Sequence, residues 1–136
     1  SLQKHQPNPQ DPLDVLSKVG GLEIAAMAGF YLGAASQNKP VIVDGFIASS
    51  AALIAQALCP ISTQYMIAAH RSAESGHRLM LEILGLKPLL DLDFRLGEAT
   101  GAAMCFPLCD AVHAVLSTMR TREEILTLNP ISQEFL

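Results

Sequence analysis

The sequence predicts an α/β fold with a parallel sheet, and three observations support this prediction. Two short apolar segments, "VIVDGF" at residues 41–46 and "QYMIAAH" at residues 64–70, lack the alternation that marks a half-exposed strand. The segment between them, "IASSAALIAQAL", has the composition of a helix. A strand–helix–strand order of this kind favours parallel pairing, with helices packed on the sheet.

Two helices are predicted before the first strand. Asp11 followed by Pro12 is typical of a helix start, and the helix "PLDVLSKV" would end at the glycine pair that follows it. The next helix, "LEIAAMAGFYLGAAS", is rich in small residues. Its Gly29 and Gly33 lie four residues apart on one helix face, where we expect another backbone to approach closely.

Two further helices are predicted after the second strand. Ser72 is an N-cap candidate for "SAESGHRLMLEILG", and Gly85 would end this helix. The segment "LLDLDFRL" is then expected to be extended. A last long helix would run from about Gly97 towards Met119, with a bend at Pro107.

The chain is expected to be a partial domain of a larger protein. Residues 1–11 are polar and rich in proline and are predicted to be a linker. Residues 12–120 would form the α/β domain and residues 121–136 a tail. Half of the 136 residues are hydrophobic, which indicates well-buried elements or a large partner interface.

Composition argues against several functional classes. The net charge of −4, the absence of a basic stripe and a count of five Phe, two Tyr and no Trp give no support for nucleic-acid binding. The three cysteines have no zinc-site spacing, which favours reduced thiols in a cytoplasmic protein without a metal. The longest charge-free stretch, residues 45–70, is too polar for a membrane span. No cofactor is predicted.

Two places that follow the predicted strands could bind a ligand. In "HRSAESGHR", the helix start at Ser72, with positive charge from His77 and its neighbours, could bind a phosphate or other anion. The alternative is an ordinary N-cap on a solvated surface. Asp44 could bind ribose hydroxyls while Gly45 lets the ligand approach the backbone. Here the alternative is a tight turn in which the aspartate is a cap.

Glu98 is a third candidate, in the segment "RLGEATGAA". It lies between two glycines in a largely apolar part of the chain. One interpretation is an ordinary glutamate in the first turn of a helix. The other is a general base that faces a pocket with little water. The residues alone leave both interpretations open.

Four segments together resemble one enzyme family: "DPLDVLSKVGGLEIAAMAGFYLGAA", "PVIVDGFIASSAAL", "HRSAESGHR" and "RLGEATGAA". From about Asp11 to Met119 the chain resembles the C-terminal part of nicotinate-nucleotide–dimethylbenzimidazole phosphoribosyltransferase. The resemblance implies a three-layer, Rossmann-like parallel-sheet core with helices packed around it, and a homodimer. It also implies the transfer of phosphoribose from nicotinate mononucleotide to 5,6-dimethylbenzimidazole, a step of cobalamin biosynthesis that yields α-ribazole 5'-phosphate and nicotinate.

The resemblance implies roles for individual residues. Glu98 matches the catalytic glutamate of the family's "RLGE" motif, and Leu96 matches a residue that lines the benzimidazole pocket. Ser72 matches the serine of the "SAE" motif, which contacts the nucleotide phosphate. The implied substrate-binding residues are Ser72, Leu96, Gly97, Asp44, Gly45 and Phe46.

The chain also departs from the family pattern. The family usually reads "GEGTG" or "GEGSG", and the middle residue here is Ala99, whose methyl group could narrow the pocket or shift the preferred acceptor. The family segment "GEMGIGNTT" is absent from this chain. We therefore expect the chain to need the N-terminal half of the enzyme as a partner and to be inactive alone. The alternative is a non-catalytic binding or dimerisation module derived from the family.

Overall fold

The computed structural model describes residues 2–128 of the protein. It divides into two compact units, Ser1–Cys105 and Phe106–Leu136. The predicted tail from residue 129 onward lies outside the described residues. In chain order the elements are α1 (Leu2–His5), α2 (Pro12–Val19), α3 (Leu22–Ser36), β1 (Val41–Val43), α4 (Phe46–Leu58), a 3-10 helix (Pro60–Tyr65), β2 (Met66–Ala68), α5 (His77–Leu84), α6 (Thr100–Thr118) and α7 (Arg122–Leu128).

The two strands form a parallel pair, so the predicted α/β class is confirmed. Val43 lies opposite Ala68 at the C-terminal end of the pair. The pairing continues one step further, because the N–H of Ala69 donates to the carbonyl of Val43 at 2.8 Å. Helix α4 makes the crossover between the strands. The sheet has two strands within residues 2–128, and the three-layer, Rossmann-like core remains a prediction.

The first unit has its main core between the sheet and helices α3 and α4. Val43 is fully buried, and so are Ala51, Ala52 and Ala55 on α4. These alanines are small, so α4 lies close to the sheet and to α3. Tyr31 of α3 is 4% exposed, and burial, with the nearby Asp44 charge, raises its pKa to about 12.

Local sequence patterns predict some helix ends correctly. Asp11 caps α2 as expected, because its carboxylate accepts the backbone N–H groups of Leu13 and Asp14 at 3.0 and 3.1 Å. Gly85 ends α5 in the left-handed conformation, with φ of 68°.

One prediction about a helix start is wrong. Helix α5 begins at His77 with Gly76 as its N-cap, so Ser72 does not cap it. Gly29 and Gly33 are not approached by another backbone among residues 2–128, since a Cβ added at either would meet no atom within 4 Å. The segment predicted to be extended after α5 runs beside the end of β2: Leu90 forms an isolated bridge to His70, and the N–H of Leu89 donates to the carbonyl of Ala68 at 3.0 Å.

The described part of the second unit is helical and carries exposed apolar side chains. Phe106, Leu116 and Met119 are 60%, 79% and 70% exposed. By length and composition alone, the segment Thr100–Thr127 is apolar enough to cross a membrane. Its most apolar stretch of 18 residues is 11% buried. A helix covered by another part of a protein has the same composition, so this property does not indicate a membrane.

Candidate active site

A pocket of about 450 Å³ lies beyond the C-terminal ends of both strands. Its wall has three parts: the turn from β1 into α4, the loop after β2, and the segment before α6. Ligands of open α/β sheets bind at this edge, and the volume is in the range of small-molecule sites. The lining residues are Asp44, Gly45, Phe46, Ile47, Ala48, His70, Ser72, Glu74, Phe94, Arg95, Gly97 and Glu98.

The pocket brings together most of the residues singled out from the sequence. Leu96 and His77 do not line the pocket; Leu96 is 70% exposed and His77 is buried. The roles of these residues in substrate binding and catalysis remain predictions. The six that line the pocket are Asp44, Gly45, Phe46, Ser72, Gly97 and Glu98.

The helix start that faces the pocket belongs to α4. Gly45 is the N-cap of α4, and no side chain caps the first-turn N–H groups, which leaves that helix end suited to an anion. Ser72 lies beside it, since a Cβ added to Gly45 would be 3.9 Å from the Cβ of Ser72. One of the two interpretations of the sequence places an anion at the start of the helix after β2, but α5 begins five residues beyond Ser72.

Asp44 ties two parts of the pocket wall together. Its Oδ1 atom accepts the backbone N–H of Ala102, in the first turn of α6, at 2.8 Å. The aspartate therefore acts as a cap, but for a helix 58 residues away rather than for its own turn. The same oxygen lies 3.8 Å from Nε2 of His70.

His70 is a pocket residue that no motif in the sequence indicates. It is 3% exposed and lies between Gly45 and Gly101. An added Cβ on Gly45 would lie 3.2 Å from its Nε2 atom, and one on Gly101 would lie 2.7 Å from the same atom. Its buried Nδ1 atom has no hydrogen-bond partner among the described residues. Its place at the end of the apolar segment "QYMIAAH" is the sequence feature that could have indicated it.

His77 is fully buried and was wrongly expected to add positive charge to the site. Its Nδ1 atom accepts the backbone N–H of Ser72 at 2.8 Å, and its Nε2 atom lies 2.8 Å from Oγ of Ser49. Burial lowers the pKa of His77, His70 lowers it further, and Asp44 partly opposes these effects. His77 is therefore neutral at pH 7.

Glu98 precedes α6 and is exposed, so its interpretation as a first-turn helix glutamate is wrong. Gly97, Glu98 and Ala99 have φ of 75°, 53° and 59°. A left-handed backbone costs a non-glycine residue about 1–2 kcal/mol, and such strain is concentrated at functional sites. Since Glu98 is exposed, residues 2–128 do not by themselves enclose it in a dry pocket.

The described residues contain no group of three or more His, Cys, Asp or Glu side chains that could hold a metal ion. The polar groups around the pocket are instead two carboxylates at Glu74 and Glu98, the Arg95 side chain, the Ser72 hydroxyl and the Asp44–His70 pair. This set can bind an anionic ligand and can accept a proton.

Fold and pocket define an α/β protein with a pocket beyond the C-terminal ends of its parallel strands. A family model described as phosphoribosyltransferase matches residues 1–125, and the chain belongs to this family.

The chain is similar to curated bacterial proteins named nicotinate-nucleotide–dimethylbenzimidazole phosphoribosyltransferase. It is 57% identical over 124 residues to the protein of Syntrophotalea carbinolica, and equally to that of Chloroflexus aggregans. Each match covers 91% of this chain and 35% of the relative. The chain thus spans about a third of the length of these relatives.

Two crystal structures from Thermus thermophilus have the same fold over most of the chain. One is a nicotinate-nucleotide–dimethylbenzimidazole phosphoribosyltransferase, with a TM-score of 0.80 and 44% identity over 87% of this chain and 36% of that one. The other, named CobT, has a TM-score of 0.82 and 43% identity over 88% of this chain and 36% of that one. These likenesses agree with the family assignment.

Proposed function

We propose that this chain contributes the phosphate site and the catalytic base of a nicotinate-nucleotide–dimethylbenzimidazole phosphoribosyltransferase. The enzyme would transfer phosphoribose from nicotinate mononucleotide to 5,6-dimethylbenzimidazole. The observation that carries this proposal is that Ser72, the start of α4 and Glu98 all line the same pocket. One wall suits a phosphate, and another offers a carboxylate.

The phosphate would bind between the start of α4 and Ser72. The first-turn N–H groups of α4 have no side-chain cap and lie at the positive end of the helix dipole. The Oγ atom of Ser72 accepts the N–H of Glu74 at 3.3 Å, which leaves the hydroxyl hydrogen available for a phosphate oxygen. Arg95, in the same wall, would add positive charge.

Glu98 would act as the general base. One benzimidazole nitrogen attacks C1' of the ribose, and the bond from C1' to nicotinate breaks with its electron pair on the departing ring nitrogen. The attacking ring gains positive charge, so the proton on its other nitrogen becomes acidic and passes to the Glu98 carboxylate. A base in this position contributes a factor of about 10²–10⁴ to the rate. Attack opposite the leaving group inverts the anomeric centre from β to α.

The active form would be longer than the 136-residue chain, as its relatives are. The remaining part would complete a three-layer, Rossmann-like core and would enclose Glu98 and Leu96, which are exposed here. We propose a cytoplasmic homodimer for this longer protein, and its substrates would be those in the names of the relatives.

The proposal is tested by product analysis of two forms of the protein. The 136-residue chain and a form extended to the length of the relatives (the full-length form) are each incubated with nicotinate mononucleotide and 5,6-dimethylbenzimidazole. We expect only the full-length form to release nicotinate and α-ribazole 5'-phosphate in equal amounts, measured by chromatography. A folded but inert full-length form would overturn the proposed activity.

A second candidate function is a non-catalytic dimerisation module. The open face of α3 at Gly29 and Gly33 favours it, because nothing within 4 Å among the described residues would contact a side chain there. Small residues on a helix let another backbone approach closely. An inert full-length form that is nevertheless dimeric by light scattering, and whose dimer dissociates on Gly33→Leu, would support this candidate.

A further inference from the structure

We propose that His77 is a positioning residue that holds Ser72 in place for the nucleotide phosphate without touching the substrate itself. This inference rests on the proposed function, in which Ser72 contacts the phosphate. His77 does not line the pocket, and none of the motif roles implied by the resemblance includes it. Its contacts, however, connect the two sides of the phosphate site.

The hydrogen bonds of His77 fix its tautomer. A backbone N–H can only donate, so Nδ1 of His77 must carry a lone pair where it meets the N–H of Ser72 at 2.8 Å. The ring proton of the neutral imidazole then lies on Nε2 and is donated to Oγ of Ser49, 2.8 Å away. Both ring nitrogens are thus satisfied in the Nε2–H form alone.

The backbone N–H of Ser72 itself is held by His77, while the residue before it is anchored separately, by the N–H of Arg71 donating to the carbonyl of Leu90 at 2.8 Å. The loop between β2 and α5 contains no helix or strand. The next N–H along the chain, that of Ala73, reaches the carbonyl of Phe94 only at 3.4 Å. Ser49 belongs to α4, whose first turn forms the other side of the phosphate site. The imidazole therefore fixes Ser72 relative to the helix start that would share the phosphate.

Two substitutions of His77 test the hydrogen bonds of its two ring nitrogens separately. Asparagine is short, and its carbonyl oxygen occupies the region of Nδ1, so His77→Asn keeps an acceptor for Ser72 and loses Ser49. Glutamine is longer, so the amide of His77→Gln reaches the region of Nε2 and leaves the Ser72 N–H without its partner. A lost hydrogen bond of this kind corresponds to about a 5–10-fold change in binding.

The first test is steady-state kinetics of the full-length form with both substrates varied. We expect His77→Gln to raise KM for nicotinate mononucleotide about 5–10-fold, with KM for dimethylbenzimidazole unchanged. His77→Asn should remain close to wild type, and Ser72→Ala should reproduce the pattern of His77→Gln. Equal effects of the two His77 variants on both KM values would show a merely structural role and would overturn the proposal.

The second test needs no activity and uses the 136-residue chain labelled with ¹⁵N. NMR should find the Nε2–H tautomer of His77 and a coupling through the hydrogen bond between the Ser72 amide nitrogen and Nδ1. An Nδ1–H tautomer would overturn the proposal even if the variants fail to fold. If the coupling is present but the full-length form makes no product, the proposed function has failed, and with it the role of His77 in phosphate binding.

Discussion

Asp44 and Ala102 are joined by a hydrogen bond of 2.8 Å, in which the carboxylate oxygen Oδ1 accepts the backbone N–H. Asp44 follows strand β1, and Ala102 lies in the first turn of α6. The bond therefore connects the turn that begins α4 to the segment that carries Glu98. Two walls of the pocket are held together by one side chain.

Removing the Asp44 carboxylate should loosen this connection. We expect Asp44→Ala to lower the free energy of unfolding by about 1–3 kcal/mol, because the Ala102 N–H loses its acceptor at a helix start. Asp44→Asn keeps an oxygen in the same place and should cost clearly less. Urea denaturation of the 136-residue chain measures both, and equal stability of Asp44→Ala and wild type would contradict the capping role.

Gly101 should not tolerate a side chain. A Cβ there would lie 2.7 Å from Nε2 of the buried His70 and closer still to its Cδ2, so Gly101→Ala should destabilise the chain by about 1–3 kcal/mol. The matched control is Gly33→Ala in α3, where the added Cβ meets nothing within 4 Å among the described residues. This control should gain about 0.5–1 kcal/mol from helix propensity. Thermal or urea unfolding compares the two, and equal effects would contradict the close packing of Gly101 on His70.

Replacing Ala99 with glycine should make the folded chain more stable. Its φ of 59° is left-handed, which costs alanine about 1–2 kcal/mol, while glycine adopts this conformation freely. The family pattern to which this chain is similar also has glycine here. We therefore expect Ala99→Gly to raise the free energy of unfolding by about 1 kcal/mol, measured by denaturant titration. A loss of stability in this variant would argue against the left-handed turn.

Acid should destabilise the folded chain through His77. The folded state holds the pKa of His77 below its ordinary value of 6.5, so as pH falls below 6.5 the unfolded state binds a proton that the folded state does not. The stability that His77 contributes is complete above 6.5 and is lost as pH falls towards the lowered pKa.

The measurement is urea denaturation between about pH 8 and pH 5, on wild type and His77→Asn. One such group changes the slope by at most about 1.4 kcal/mol per pH unit. The comparison isolates His77 from His70 and Asp44, the ionisable groups whose charges act on it. An identical pH dependence in both proteins would contradict a buried, neutral His77.

Features that depend on neighbouring residues could be predicted from the sequence. The Asp11 cap and the Gly85 helix end are local, since each is set by hydrogen bonds within a few residues. The two strands and their parallel pairing followed from apolar runs around a helix. The residues after both strands also indicated where a pocket would lie.

Features that depend on distant contacts could not be predicted. Serine often caps helices, so Ser72 was expected to be an N-cap. Instead its backbone N–H donates to Nδ1 of His77, and α5 begins only at that histidine. The partner of Asp44 is 58 residues away. The left-handed turn at Glu98 has no sequence pattern beyond Gly97, because alanine follows where a glycine would mark it.

The most direct test of the central claim is the turnover of Glu98→Gln in the full-length form. Glutamine keeps the size of the side chain and removes its ability to accept a proton. We expect kcat for α-ribazole 5'-phosphate formation to fall by about 10²–10⁴-fold, while KM for both substrates stays within about threefold. Turnover close to wild type in this variant would contradict the assignment of Glu98 as the catalytic base.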